Sequence, residues 1–289
     1  MAKLTNLHGQ LEFNKEMEGI INVLKGVAAS EFANLQRERK KFDEFHMYIN
    51  KIFKILDVSN FSHVFIEDSP LPANFVIITS DGGFLGNLNI SIIATLFERY
   101  KKDDQLTVLG SQGARYVEEK GIGFKFFPGI SNKISYEEVQ NLRDYLIAQV
   151  LSKKTSRTVI IFPHFISFAI QEIQAFQLFP CRRLFSEKSK LKSDEEEYEK
   201  VIIEPFFKKV IEYLIQVWLS YTIYSIFWES KLSEWAARVI HLEGSSDEVV
   251  RQGRIAKLEY FRALHAESDK NIREIFSSTM VLRGMRGGM

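Results

Sequence analysis

The segment Asp81-Gly82-Gly83-Phe84-Leu85-Gly86 is where residue types and spacing come nearest to a ligand site in this chain. Glycines let a backbone turn sharply and approach a phosphate closely, and a glycine turn between a strand and a helix is where a dinucleotide would lie. Here the glycines fall as GGxxG instead of GxGxxG, and no clear acidic residue closes a following second strand to hold a ribose. Gly110 and Gly113 form a second short glycine turn. The expectation is that both turns bring helix against strand, with no cofactor carried.

Other chemistry-bearing residues are dispersed. His8, His46, His63, His164, His241 and His265 include no HExxH pair and have no cysteine partner, so no metal-ligand set is expected. Ser80 and Ser111 sit at predicted strand ends, yet neither lies in GxSxG. Glu195, Glu196 and Glu197 are adjacent acids among lysines, a pattern of hydrated surface charge. No catalytic constellation emerges. Cys181 is the single cysteine, which excludes an intramolecular disulfide and fits a reducing compartment. With 38 basic and 37 acidic residues the net charge is +1, not the basic excess of a typical nucleic-acid binder. Met1 to Gln10 lacks the apolar core of a secretory signal.

These turns need elements to position them, and the middle of the chain supplies an α/β pattern of short apolar runs alternating with helical stretches. Strands are expected at Asn74 to Thr79, Leu106 to Leu109, Ile122 to Phe127 and Thr158 to Phe162, with an edge or antiparallel strand at Gln171 to Leu178. Helices are expected from Leu88 to Tyr100, through Glu119, and from Tyr136 to Leu151. This gives an α/β domain over 61–181, followed by a charged loop at 182–204.

Long helices flank it. Phe207, Ile211, Leu214, Trp218, Tyr221, Ser225, Trp228, Leu232, Trp235, Val239 and Leu242 recur every three or four residues, the repeat of a coiled-coil seam. The same step continues through Ser246, Val249, Gly253, Ala256, Tyr260 and Ala263, with no proline after Pro205. At the other end Met17, Ile21, Leu24, Ala28, Phe32, Leu35, Arg39, Phe42, His46, Ile49, Phe53 and Leu56 form a second stripe, with one slip at Ala28. If these two helices pair, the termini come together and the middle of the chain lies at the far end of the rod. The apolar stretch Ile211 to Trp228 is about the minimum length of a membrane span, but polar residues interrupt it and it follows the seam, so a buried or paired helix is favoured.

Specific blocks carry a resemblance. Val27-Ala28-Ala29-Ser30 lies on the N-terminal stripe, Ile78 to Asn89 reads ITSDGGFLGNLN, Val108 to Gly113 reads VLGSQG, and Ala236-Ala237-Arg238 precedes Leu242 to Asp247, LEGSSD. In this order and on these elements the chain resembles the gamma subunit of F-type rotary ATP synthases. That family writes the first turn with Thr-Asp-Arg-Gly and Gly-Gly-Leu-Asn, and its C-terminal block with Ala-Ala-Arg and Ala-Thr-Asp-Asn. Gly82 stands where the family has its turn arginine, and Arg262-Ala263-Leu264-His265 stands where it has Lys-Ala-Arg-Gln.

The resemblance implies a Rossmann-like α/β foot between two long terminal helices, 1–60 and 205–289, that form an antiparallel coiled coil, its small seam from Gly244 to Ala263 facing Ala28, Ala29, Ser30 and Ala33. It implies a non-catalytic rotor, one copy per complex, that couples ion translocation to ATP synthesis or hydrolysis. The implied partners are the alpha and beta subunits, the epsilon subunit and the ring of c subunits, in a peripheral complex on the cytoplasmic face of the cell inner membrane. Rotor contacts are expected at Ala28, Ala29, Ser30, Arg262, His265, Lys270 and Arg273, and the fold-signature turn at Asp81, Gly83, Gly86 and Asn89. Read without the resemblance, the residues also admit a nucleotide-dependent enzyme or a coiled-coil scaffold.

Overall fold

A computed structural model describes residues 2–38, 48, 63–181 and 206–286. The order is α1 (Ala2–Glu38), β1 (Ala73–Ile78), α2 (Leu88–Phe97), β2 (Gln105–Leu109), α3 (Ser111–Glu119), β3 (Lys125–Phe127), α4 (Tyr136–Leu151), β4 (Arg157–Phe165), β5 (Gln171–Phe179) and α5 (Phe207–Arg286). The chain divides into two units, Ala28–Val239 and Met1–Val27 with Ile240–Met289. The expected loop at 182–204 and the stripe from Arg39 to Leu56 lie outside the described residues.

In the larger unit the five strands are ordered β3-β2-β1-β4-β5. The first four are parallel and β5 runs antiparallel to β4, pairing Ile160 with Phe176. Successive side chains of a strand point to opposite faces. Phe75, Ile77, Leu106, Val108, Val159 and Ile161 therefore face Ile92 and Leu96 of α2 and Val117 of α3. Val76, Ile78, Leu109, Ile160 and Phe162 face Val139, Leu142, Leu146 and Val150 of α4. Because both faces are covered, β1 and β4 carry continuous apolar runs, and β2 is broken only by the buried Thr107. Helix α4 starts where it does because Ser135 and Glu138 form a reciprocal capping box.

The first part of α5 completes that second face. Ile211, Ile215, Leu219, Ile223 and Ile226 step along the helix into the core shared with α4 and the sheet. This shifts the expected row: Leu214, Tyr221 and Ser225 are only half-buried, while from Ser230 to Ala237 every residue is buried. A helix laid on a sheet presents a broad face with the 3.6-residue period, so a single 3.5-residue row does not describe it. By length and composition α5 contains a window apolar enough to cross a membrane, but half of that window is buried inside the protein.

In the smaller unit α1 and α5 pair antiparallel. Lys25 meets Glu243, Asn22 meets Ser246, Asn14 lies against Gly253, and the rings of His8 and Tyr260 meet edge to face. Thus Gly253 faces Asn14 and not the Ala28 to Ala33 segment, which corrects the expected neck: antiparallel pairing from this register carries Gly253 toward the beginning of α1. On α5 the covered positions include Leu242, Ser246, Val249, Gly253, Ala256, Tyr260 and Ala263, the heptad row read from the sequence, and Glu267 beyond it. On α1 they are Leu4, Leu7, Leu11, Asn14, Glu18, Ile21 and Lys25, with Met17 half-buried beside them. Leu24 is 37% exposed, so the stripe passes through Lys25 and the slip at Ala28 disappears. Lys25 lays its stem in the seam while its Nζ reaches Glu243 Oε2 at 2.8 Å.

Candidate functional site

The turn after β1 lies at the point where strand order reverses, between β1 and β4. In open α/β sheets ligands enter the crevice outside the carboxyl ends of strands at such a point. Here α5 occupies it. Ser233 Oγ donates to the carbonyl of Pro163 at 3.1 Å. Ser230 and Glu234 line what is left, together with Thr79, Ser80, Asn89 and Pro163, a cavity of about 10 Å³. That is room for about one water, against roughly 300 Å³ or more for a ligand pocket.

The polar groups of the turn are spent on the fold itself. Asp81 Oδ1 accepts the Ser111 N–H at 2.7 Å and Oδ2 accepts the Gly129 N–H at 3.1 Å. Thr79 Oγ1 donates to the Leu109 carbonyl at 2.7 Å and accepts the Gly113 N–H at 3.0 Å. Asn89 accepts the Ser80 N–H and donates to Ser80 Oγ, while Ser80 Oγ donates to the Gly82 carbonyl. Gly86 adopts φ 55° and Gly110 φ 93°, conformations that favour glycine. The four signature residues therefore act together: Asp81 and Asn89 tie the turn, Gly86 bends it, and the Gly83 carbonyl accepts from Arg238 Nε at 3.3 Å.

A charged cluster on α5 beside this turn is absent from the residues expected on sequence grounds. Glu234 accepts from Lys231 Nζ at 2.9 Å and from Arg238 Nη2 at 2.7 Å, with side chains only 7%, 11% and 13% exposed for Lys231, Glu234 and Arg238. Both cations lie over the Trp235 ring. The i,i+3 and i,i+4 spacing of the charges was the available signal. Two histidine–glutamate pairs also fasten α5 to the domain, His63 with Glu212 at 3.1 Å and His164 with Glu229. Cys181 is buried, donates to the Phe65 carbonyl, and burial pushes its thiol up to about 12.

The residues expected to meet partners differ in exposure. Ala28 is fully buried, whereas its neighbours Ala29 and Ser30 are exposed. Arg262, His265, Lys270 and Arg273 are exposed on α5, and Lys270 pairs loosely with Glu274 at 3.9 Å. Nearby, Arg251 and Gln252 hold the Glu248 carboxyl at about 2 by hydrogen bonding. Among the described residues no group of three histidine, cysteine or acidic side chains could hold a metal ion.

Comparison with known proteins agrees with this geometry. The chain is 22% identical over 295 residues to the ATP synthase gamma chain of Staphylococcus haemolyticus (strain JCSC1435), covering 98% of this chain and 100% of that one. Its fold matches a chain in the cryo-EM structure of the Euglena gracilis mitochondrial ATP synthase OSCP/F1/c-ring, with a TM-score of 0.74 at 14% identity, covering 99% of this chain and 96% of that one. It also matches a chain of the Tetrahymena thermophila mitochondrial ATP synthase central stalk/c-ring, with a TM-score of 0.62 at 18% identity, covering 78% and 99%. The family model described as ATP synthase matches residues 3–282, and on that near-complete match the chain belongs to the ATP synthase family, as a gamma chain.

Proposed function

We propose that this chain is the central-stalk rotor of an F-type ATP synthase, coupling ion flow through a membrane ring of c subunits to ATP synthesis or hydrolysis in a ring of alpha and beta subunits. The observation that carries this reading is the pairing of α1 with α5 along a heptad seam, in a chain whose nucleotide crevice is filled by α5 itself. A rotor needs an axle and a base, and needs no substrate pocket of its own. In this reading the chain is a non-catalytic subunit.

Apolar side chains turned outward support a surrounding partner. Phe13, Ile20, Val23 and Val27 are exposed on α1, and Leu258, Ile272, Ile275, Phe276 and Met280 on α5. In the assembled enzyme these faces meet alpha and beta subunits, with Ala29, Ser30, Arg262, His265, Lys270 and Arg273 at the rotor contacts. The fourfold division into 1–60, 61–181, 182–204 and 205–289 follows from the same reading, with the α/β part on the epsilon subunit and c ring. One copy serves each complex, which is peripheral on the cytoplasmic face of the inner membrane. Rotation then favours a different conformation of each catalytic subunit in turn, through differential contacts.

Co-expression with alpha and beta subunits tests this. A complex holding one copy of the chain, with ATP hydrolysis dependent on it, is expected. A chain that remains apart from both subunits and self-associates would favour a coiled-coil scaffold. Stoichiometric nucleotide binding by the chain alone, measured by calorimetry, would favour an enzyme.

A further inference from the structure

The Arg238 guanidinium of α5 reaches the turn after β1. Arg238 Nε donates to the Gly83 carbonyl at 3.3 Å and Nη2 to Glu234 Oε1 at 2.7 Å, with Cζ 4.3 Å from the centroid of the Trp235 ring. Lys231 holds the other oxygen of Glu234 at 2.9 Å, so the acceptor is itself fixed. A Cβ placed on Gly82 would lie 2.9 Å from Arg238 Nη2, so the guanidinium occupies the space that a side chain at 82 would need. Arg238 stands one residue before the end of this unit, where α5 leaves the α/β domain.

We propose that Arg238 is a positioning residue for rotary coupling: it latches the β1 turn to α5, so that the α/β domain and this part of the helix turn as one body. Its functional consequence rests on the rotor reading above. Core packing, the Ser233–Pro163 hydrogen bond and the two histidine–glutamate pairs seat α5 on the sheet; Arg238 adds a directional contact at the end of this unit, four residues beyond Glu234. A planar fork bonded both to the β1 turn and to Glu234 of its own helix, with its Cζ over the Trp235 ring, has a defined orientation, which an ammonium cannot reproduce. The absence of a side chain at Gly82 is what gives the fork its place.

The test is a reciprocal swap in full-length chains: Arg238→Ala, Arg238→Lys, Gly82→Arg, and Gly82→Arg combined with Arg238→Ala. In vesicles carrying the assembled enzyme, Arg238→Ala and Gly82→Arg each lower ions pumped per ATP hydrolysed by roughly threefold or more while hydrolysis persists, and Arg238→Lys falls between. The double variant recovers coupling, because the guanidinium now reaches Glu234 from the turn. In the purified chain the same pair is non-additive in urea midpoint. Wild-type coupling in Arg238→Ala, or a double variant no better than its singles together, overturns the latch. If the unmodified chain fails to support pumping, the rotor reading falls, and additivity in the purified chain still decides whether the latch exists.

Discussion

Asp81 Oδ1 accepts the backbone N–H of Ser111 at 2.7 Å, joining the turn after β1 to the first residue of α3. The N-cap of α3 is Gly110, which has no side chain to satisfy the helix's first donors. Asp81 supplies that acceptor from another strand end, and its second oxygen holds Gly129. Asp81→Ala should destabilise the purified chain by about 1–3 kcal/mol, and Asp81→Asn by less because one acceptor remains. Urea unfolding monitored by circular dichroism checks both.

Gly113 has a similarly specific neighbour. A Cβ there would lie 2.5 Å from Thr79 Oγ1 and 2.8 Å from its Cγ2. Gly113→Ala should therefore be destabilising by about 1–3 kcal/mol, as overpacking is. Combination with Thr79→Ala should restore part of the loss, since the colliding atoms are gone. Additive effects in that double-mutant cycle would refute the contact.

The helical glycines away from the turns behave oppositely. Gly19, Gly26 and Gly244 lie inside α1 or α5, and a Cβ added at any of them would meet nothing within 4 Å. Replacing any of them by alanine should raise stability by about 0.5–1 kcal/mol, by limiting the unfolded chain's freedom and favouring helix. Thermal unfolding should show the midpoint rising; a fall at Gly19 would mean that a contact exists there.

Cys181 should be inert in the folded chain. Its thiol is buried and raised to about 12, so almost no thiolate exists at about pH 8. Maleimide or disulfide reagents should label it only on unfolding. The linked sign is destabilising in base: the unfolded thiol ionises near its ordinary value while the folded one stays protonated, so its contribution is intact below about pH 8.5 and declines from there toward about 12. Rapid labelling under native conditions would contradict the burial.

What the sequence alone determined was local. Short apolar runs marked β1, β2 and β4, Gln171 to Leu178 was legible as an edge or antiparallel strand and is both, and the row from Leu242 to Ala263 marked the seam of α5. Periodicity suffices there because each segment meets its neighbours on one face or on both. The signature turn was legible as a turn, from Asp81, Gly83, Gly86 and Asn89, but its partners were not.

Only the tertiary structure decided which neighbours arrive from far along the chain. Nothing local says that Ser233, Glu234 and Arg238 of α5 fill the crevice beyond β1 and β4, because those contacts join positions about seventy to one hundred and fifty residues apart. The same holds for Lys25 in place of Leu24 in the seam: apolar character favours Leu24, but the pairing of α1 with α5 turns it outward and brings Lys25 to Glu243. A side chain's type constrains what it can bury against, while burial itself belongs to the pair.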